Sequence, residues 1–479
     1  MVKENRIYKI SCLLLVLISA LIISLSIPKF EINLSEQVVS ELVYFALVLI
    51  PLLIIGIIAT VKIVKGGGYH KTSHKITAIS VTAIWIILAL IFTLILLGVN
   101  HKSEDYMWFL HNWTSYYKNH SIKESLYGII EVTNYAPGYN YILILISRIP
   151  MYDLHLIKLV SFLFSILLSY FICKIISHIR KSEFNYILFV ALMMLPCLII
   201  EYSAWAQCDA IYTSFAIGAL YFALRKKSKL SFLFLGLSFI FKFQFLFIVP
   251  ILFILLIIKD EHGEHYLKWN DVWIPFAVYL INCIPVFAGR SLMEMLLVYA
   301  KQSVNDTRIC GECANICLIY YKFLDVRPDT LVHNILLWTH VAITFAVLIF
   351  YLVLVFKNNK KKTFGFYDIL FWGFAFSLTM VFLMPKMLDR FYFIAACLAI
   401  TFMFSCRDKH SCILSVLTTL FFSLSMLSAV WHWPNSIAIT MLVCSMINFI
   451  YLVFVIIKEY GKVLSRKHNT EKDATKKSN

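Results

Sequence analysis

Apolar runs of about twenty residues recur along this chain, and Lys and Arg gather in the short gaps between them. A run of that length crosses the hydrocarbon core of a bilayer as a helix. Of 479 residues, 61% are hydrophobic and 15% are charged, whereas soluble domains carry about a quarter charged residues. A soluble enzyme, a disordered chain and a disulfide-stapled secreted domain are thereby excluded. Period-two alternation of apolar residues is missing, so the crossings read as helices and not as a barrel. The net charge of +16 sits in the loops and the tail, as the positive-inside bias requires, and does not point to nucleic acid. The stretch from Met1 to Ile27 lacks a small-residue cleavage site and reads as a retained first span.

Spans are expected at 9–27, 40–64, 76–99, 154–178, 185–202, 205–225, 272–289, 333–356, 366–384, 391–406, 411–431 and 436–457. The basic loops fix the sides. Lys62 to Lys75, Arg225 to Lys229, Lys357 to Lys362, Arg407 to Lys409 and the 458–479 tail are assigned to the cytoplasm. Both termini then face inward, which the even count of about twelve crossings satisfies. Two stretches do not fit as full crossings. Tyr139 to Ile149 is too short and is expected to be in-plane or half-inserted on the outer face. Leu230 to Ile258 is too long and carries Lys242 near its middle, so it reads as two short helices meeting at that residue. Such a break is tolerated at membrane depth where it lines a cavity. The large loops 100–138 and 290–332 then lie outside, the first holding short amphipathic helices. The expected fold class is an all-α, multi-pass integral membrane protein with two extra short or half-inserted helices. Short loops and a basic tail suit a bacterial plasma membrane.

Ionisable residues within or beside an apolar bundle are costly, so each is a candidate for function. Glu104 and Asp105 follow the third span. An acid there either serves as general base towards a hydroxyl at the membrane surface or is a solvated loop carboxylate. Pro137 and Gly138 set a rigid turn, flanked by Tyr135 and Tyr139, which stack on a sugar ring or join an interfacial aromatic belt. Trp205, Gln207 and Asp209 line an outward cavity or cap a helix. Lys242, with Gln244 beside it, interrupts an apolar run and needs an anion, either a lipid-linked phosphate or a carboxylate such as Asp209. Arg290, Tyr299, Gln302 and Arg308 are within reach of lipid phosphates. Lys386, Asp389 and Arg390 open a span from outside, where Arg390 either binds a phosphate bidentately or pairs with Asp389. Every one of these falls on the outer face, where a lipid-carried substrate would meet them all.

Most of the twelve Cys lie in spans as small apolar filler. Cys310, Cys313 and Cys317 lie in an outer loop; they are too few for a four-ligand zinc site but open to a disulfide if the outside is oxidising. His111, His262 and His265 are scattered and read as surface residues.

Four blocks together resemble a known family: Asn134-Tyr-Ala-Pro-Gly-Tyr139, Trp205-Ala-Gln-Cys-Asp209, Phe241-Lys-Phe-Gln244 and Met387-Leu-Asp-Arg-Phe391. With an Asp early in the first outer loop, they are similar in kind and order to the bacterial GT-C glycosyltransferases related to the eukaryotic GPI mannosyltransferase II. The resemblance spans roughly residues 100 to 400. It implies a GT-C-like helix bundle over 76–457 with an outer catalytic cavity, preceded by a two-span addition over 1–75. The implied donor is a polyprenyl-phosphate sugar, and the implied base is Asp105. Lys242 and Arg390 would then offset the charge of the leaving phosphate. Trp205, Gln207, Asp209, Gln244, Tyr135 and Tyr139 would shape the sugar or acceptor side, the acceptor being a lipid-linked or glycan hydroxyl. No metal or cofactor is called for, although a divalent cation beside Asp105 and Asp209 is compatible with this chemistry. Departures stand at Gly138, Ala206, Leu388 and Asp389, where the family has Pro, Gly, His and Glu; they imply an altered donor or a weak enzyme. The rival expectations are a transporter or flippase of lipid-linked saccharide, a polysaccharide polymerase or ligase, and a non-catalytic assembly subunit.

Overall fold

The computed structural model describes residues 101–460 apart from 288–291, 306, 312, 325, 329, 360–363, 407 and 433–434, together with Ile54, Ile87, Ile91, Phe92 and Ile95. Apart from these five residues, the three spans expected before residue 100 and the 1–75 addition lie outside the described residues, as does the tail beyond 460. Among those described, the regular elements are all helical. Among the described residues, five helices are long and apolar enough to cross a membrane. The protein is therefore a membrane protein, in keeping with its composition.

The first large loop, 100–138, is structured over its described residues. A π turn at Tyr106–Leu110 runs into α1 (His111–Asn119), which leads to α2 (Ile122–Val132). Ser121 starts α2 by a capping box: its hydroxyl accepts the Glu124 amide at 3.3 Å, and Glu124 accepts the Ser121 amide at 2.8 Å. The short helix expected after residue 139 is α3 (Pro137–Ser147), begun by Pro137, whose missing N–H is no loss at a first turn. The long α4 (Asp153–Arg180) follows. Asp153 ties it to this loop, accepting from Tyr106 Oη at 2.8 Å and Thr114 Oγ1 at 2.9 Å and pairing with His111 Nδ1 at 2.7 Å. His111 is exposed, as expected of a surface residue, and its imidazole also meets Asp153.

The full crossing expected over 185–202 is broken. Helix α5 (Tyr186–Met193) stops at Met194, and a short turn at Pro196–Ile199 precedes a π turn at Ile200–Trp205. Pro196 has no N–H to give and its ring crowds the carbonyl four residues back, so α5 cannot run through it. Helix α6 (Asp209–Leu224) then packs between α4 and α7 (Ser228–Phe239). The expected break falls at Lys242, which is extended at φ −157° and ψ 143°. A 3-10 turn at Phe243–Ile248 and α8 (Val249–Ile257) return the chain. At ~18 Å, twelve residues of α7 reach only partway across a bilayer. Both feet of this pair stand at one end of the bundle, where Lys226 meets Asp260 at 2.5 Å and Glu264 at 2.6 Å.

The span expected over 272–289 is α9 (Ile274–Cys283), cut short by Pro285. The second half is regular: α10 (Leu331–Asn359), α11 (Phe366–Leu383), α12 (Tyr392–Met403), α13 (Lys409–Val430) and α14 (Asn435–Tyr460), close to the expected spans. Successive members of this set from α11 to α14 pack side by side, and α11 and α12 are almost wholly buried. By contrast α10 and α14 turn apolar side chains outward at helical spacing, with Trp338, Phe345 and Ile349 on one and Ile447, Ile450 and Ile457 on the other. Such faces are stable against lipid tails, not against water.

Candidate active site

Five of the singled-out side chains, drawn from four distant parts of the chain, meet in one chain of contacts. Asp209 is the first residue of α6, where a carboxylate is favoured by the helix N-terminus. Its Oδ1 accepts from Lys242 Nζ at 2.7 Å. Its Oδ2 lies 3.7 Å from Arg390 Nε. Arg390, in the 3-10 turn Asp389–Phe391 ahead of α12, reaches onward with Nη1 to Asp105 Oδ2. The same Asp105 oxygen accepts from Trp205 Nε1 at 2.7 Å. The order along the contacts is thus Lys242, Asp209, Arg390, Asp105, Trp205. Exposure is lowest at Lys242 and Asp209, whose side chains are 2% and 0% exposed, and higher at Arg390, 8%, and Asp105, 18%. Asp105 is therefore the exposed end, or mouth, of these contacts and Asp209 their buried end, or floor.

Aromatic rings enclose the cations. Lys242 Nζ lies 5.5 Å from the centre of the Phe391 ring, 5.7 Å from Tyr212 and 6.0 Å from Tyr135, and the Arg390 guanidinium lies 5.9 Å from Trp205. Tyr135 packs on Trp113 at 5.2 Å and on Tyr139 at 5.9 Å. The turn that presents Tyr135 is set by buried Asn140, whose amide donates to Thr133 Oγ1, Tyr135 O and Ala136 O. Gly138 lies against the carbonyl of Ile240, which a Cβ would approach to 2.6 Å. The close approach of α3 to the end of α7 thus excludes any side chain here, proline's ring included. Ala206 sits at φ +55°, the left-handed region that favours glycine.

Lys242 has taken the carboxylate of the two anions open to it, and Arg390 reaches Asp105 and Asp209, while Asp389 accepts from Ser425 Oγ at 2.6 Å. Gln207 is buried but turns its Oε1 onto the Cys208 amide at 3.2 Å, so it shapes the turn and lies outside the contact chain. Gln244 is half-buried and its Oε1 has no hydrogen-bond partner. Glu104, next to Asp105 in the chain, is exposed and faces His432 at 3.8 Å. Tyr299 is buried, and donates to Phe239 O at 2.5 Å at the end of α7 instead of facing lipid phosphates. Arg290 lies outside the described residues. Cys310, Cys313 and Cys317 are buried and form no disulfide. Among the described residues no group of three or more His, Cys, Asp and Glu could hold a metal ion.

Glu201 and Lys158 are fully buried and were not singled out from the sequence. Each is an ionisable residue inside an apolar run, the signal that applies to Lys242, but each was absorbed into an expected span. No family model matches the chain, and no curated protein or solved structure matches it either.

Proposed function

We propose that the chain is a membrane glycosyltransferase that moves a sugar from a polyprenyl-phosphate donor to an acceptor hydroxyl at the outer face, with inversion. One observation carries this reading: Asp105, Trp205, Asp209, Lys242 and Arg390, scattered over nearly three hundred residues, join in a single chain of polar contacts. The resemblance draws on the same residues. An acid at a wet mouth backed by two buried cations has what such a transfer needs.

The donor phosphate competes with Asp105 for Arg390, whose planar fork suits a phosphate oxygen pair. Once Arg390 turns to the phosphate, Asp105 loses its counter-ion and becomes the better base. Trp205 keeps the carboxylate oriented. The acceptor oxygen then bonds to the anomeric carbon as the bond from that carbon to the phosphate oxygen breaks. The hydroxyl proton goes to Asp105, and the prenyl phosphate leaves with its charge offset by Arg390 and Lys242. The aromatic wall of Tyr135, Tyr139 and Trp205 offers a stacking surface for the sugar. About twelve crossings, inward termini and a bacterial plasma membrane complete the reading.

A transporter of lipid-linked saccharide would use the same cations without a base. Paired broken helices in the two halves would favour it. The breaks at Leu195, Lys242 and Pro285 all fall before residue 290, and the five described helices after residue 330 run unbroken. The test is to incubate membranes holding the protein with labelled polyprenyl-phosphate sugars and a crude acceptor fraction. Label leaving the prenyl phosphate is expected. Folded protein that releases no label from any donor would overturn the enzyme reading.

A further inference from the structure

Glu201 is a buried acid beside the ion pairs that none of the motifs marks. Its carbonyl accepts the Ala206 amide at 2.9 Å, closing the π turn. Its side-chain Oε1 accepts the Asp209 amide at 3.0 Å. One residue thus pins both ends of the turn 206–209. That turn carries two of the contacts on which the site depends, since Trp205 enters it with its indole on Asp105 and Asp209 leaves it with its carboxylate on Lys242. The turn is held from outside as well, by Ser103 Oγ donating to Trp205 O at 2.9 Å and Ser161 Oγ donating to Gln207 O at 2.5 Å.

The charge of Glu201 follows from its surroundings. Lys242 and Arg390 are already balanced by Asp209 and Asp105. Glu201 is 0% exposed, and its Oε2 has no hydrogen-bond partner. The charged groups facing it are Asp209 and Lys242. The remaining titratable neighbours are the tyrosines 135, 139 and 212 and the thiols of Cys197, Cys208 and Cys397. Lys242, the cation among them, is taken by Asp209. An ionised Glu201 would add an unpaired charge with a bare oxygen to a closed core, which is among the most costly states a core can hold. A protonated carboxyl keeps Oε1 as acceptor for the Asp209 amide without that charge.

We propose that Glu201 is a positioning residue of this site, holding the turn 206–209, and with it Trp205 and Asp209, as an uncharged carboxylic acid. Its role deepens the donor reading and rests on it for the ligand used in the test. Full-length protein in lipid nanodiscs is compared as wild type, Glu201→Gln and Glu201→Leu, with a long-chain polyprenyl phosphate as probe. Gln keeps an acceptor and no charge, so its affinity should stay within about threefold of wild type from mildly acid to mildly alkaline pH. Leu removes one hydrogen bond and should bind about tenfold more weakly. Leu that binds like wild type, or Gln that fails like Leu, would overturn the positioning role. Independently of ligand, the infrared difference between wild type and Glu201→Gln at neutral pH should contain a protonated-carboxyl carbonyl band. A carboxylate band in its place would overturn the uncharged state. If wild type captures no polyprenyl phosphate, the donor reading falls, and the infrared band still decides Glu201.

Discussion

Arg390 serves two carboxylates at once, Asp105 at the mouth and Asp209 on the floor. A lysine carries the charge but not the fork, so Arg390→Lys should fold yet bind polyprenyl phosphate about tenfold more weakly. Unchanged affinity in a direct binding assay would remove Arg390 from the phosphate site. Arg390→Ala takes the cation from Asp105 and leaves Asp209 to Lys242, and should cost roughly 3 kcal/mol in denaturant unfolding. Ala206 offers a test of the opposite sign. Its φ of +55° is paid for in strain that glycine does not feel, so Ala206→Gly should stabilise by about 0.5 to 1 kcal/mol. A thermal melt that falls instead would mean that the turn is not left-handed in solution. At this scale the sequence was informative where a charge interrupted an apolar run visibly, as at Lys242, or opened a span, as at Arg390. It was silent on Glu201 and on Asp153, whose partners are settled by packing: His111 lies 42 residues from Asp153, and no spacing rule joins them.

Among the elements, the broken pair α7 and α8 decides where the floor of the site lies. The break was legible because a polar pair in a run too long for one span had no other explanation. The break at Pro196 follows from a proline inside the apolar run of the span expected over 185–202. The short α9 has the same origin in Pro285. The feet of the α7–α8 pair are closed by the loop after Ile258, where Asp260 Oδ1 accepts the His262 and Glu264 amides, each at 2.9 Å. The hydrogen bond from Lys226 is the main cause that holds the Asp260 carboxyl down at about 2, from an ordinary 3.8. A carboxyl depressed in the folded state stabilises above its unfolded value and loses that contribution as pH falls through the folded one. Amide exchange in residues 259–267 should therefore speed up between about pH 4 and pH 2 relative to the rest of the chain, and Asp260→Asn should abolish that pH dependence. Exchange that ignores pH over this window would mean that the clasp does not form.

The molecule as a whole places its wet acid and its clasp at opposite ends of the α7–α8 pair. The helices α10 to α14 were legible to within a few residues, because apolar stretches set off by basic loops and turns read as helices in a bilayer. How they pack was not legible, since lipid-facing and core-facing helices are equally apolar; only the structure separates exposed α10 and α14 from buried α11. Sidedness is testable by cysteine labelling, because the described native cysteines are all buried except half-buried Cys444. In intact cells, Lys123→Cys on exposed α2 should react with a membrane-impermeant maleimide, and Glu261→Cys in the clasp loop should react only after permeabilisation. The reverse pattern would put the site on the cytoplasmic face.

The most direct measurement compares sugar transfer by wild type and Asp105→Asn in membranes holding equal amounts of folded protein. Asn keeps the shape that meets Trp205 but cannot take a proton, so transfer should fall about 10²- to 10⁴-fold while polyprenyl-phosphate binding persists. Transfer at the wild-type rate by Asp105→Asn would contradict the assignment of Asp105 as the base.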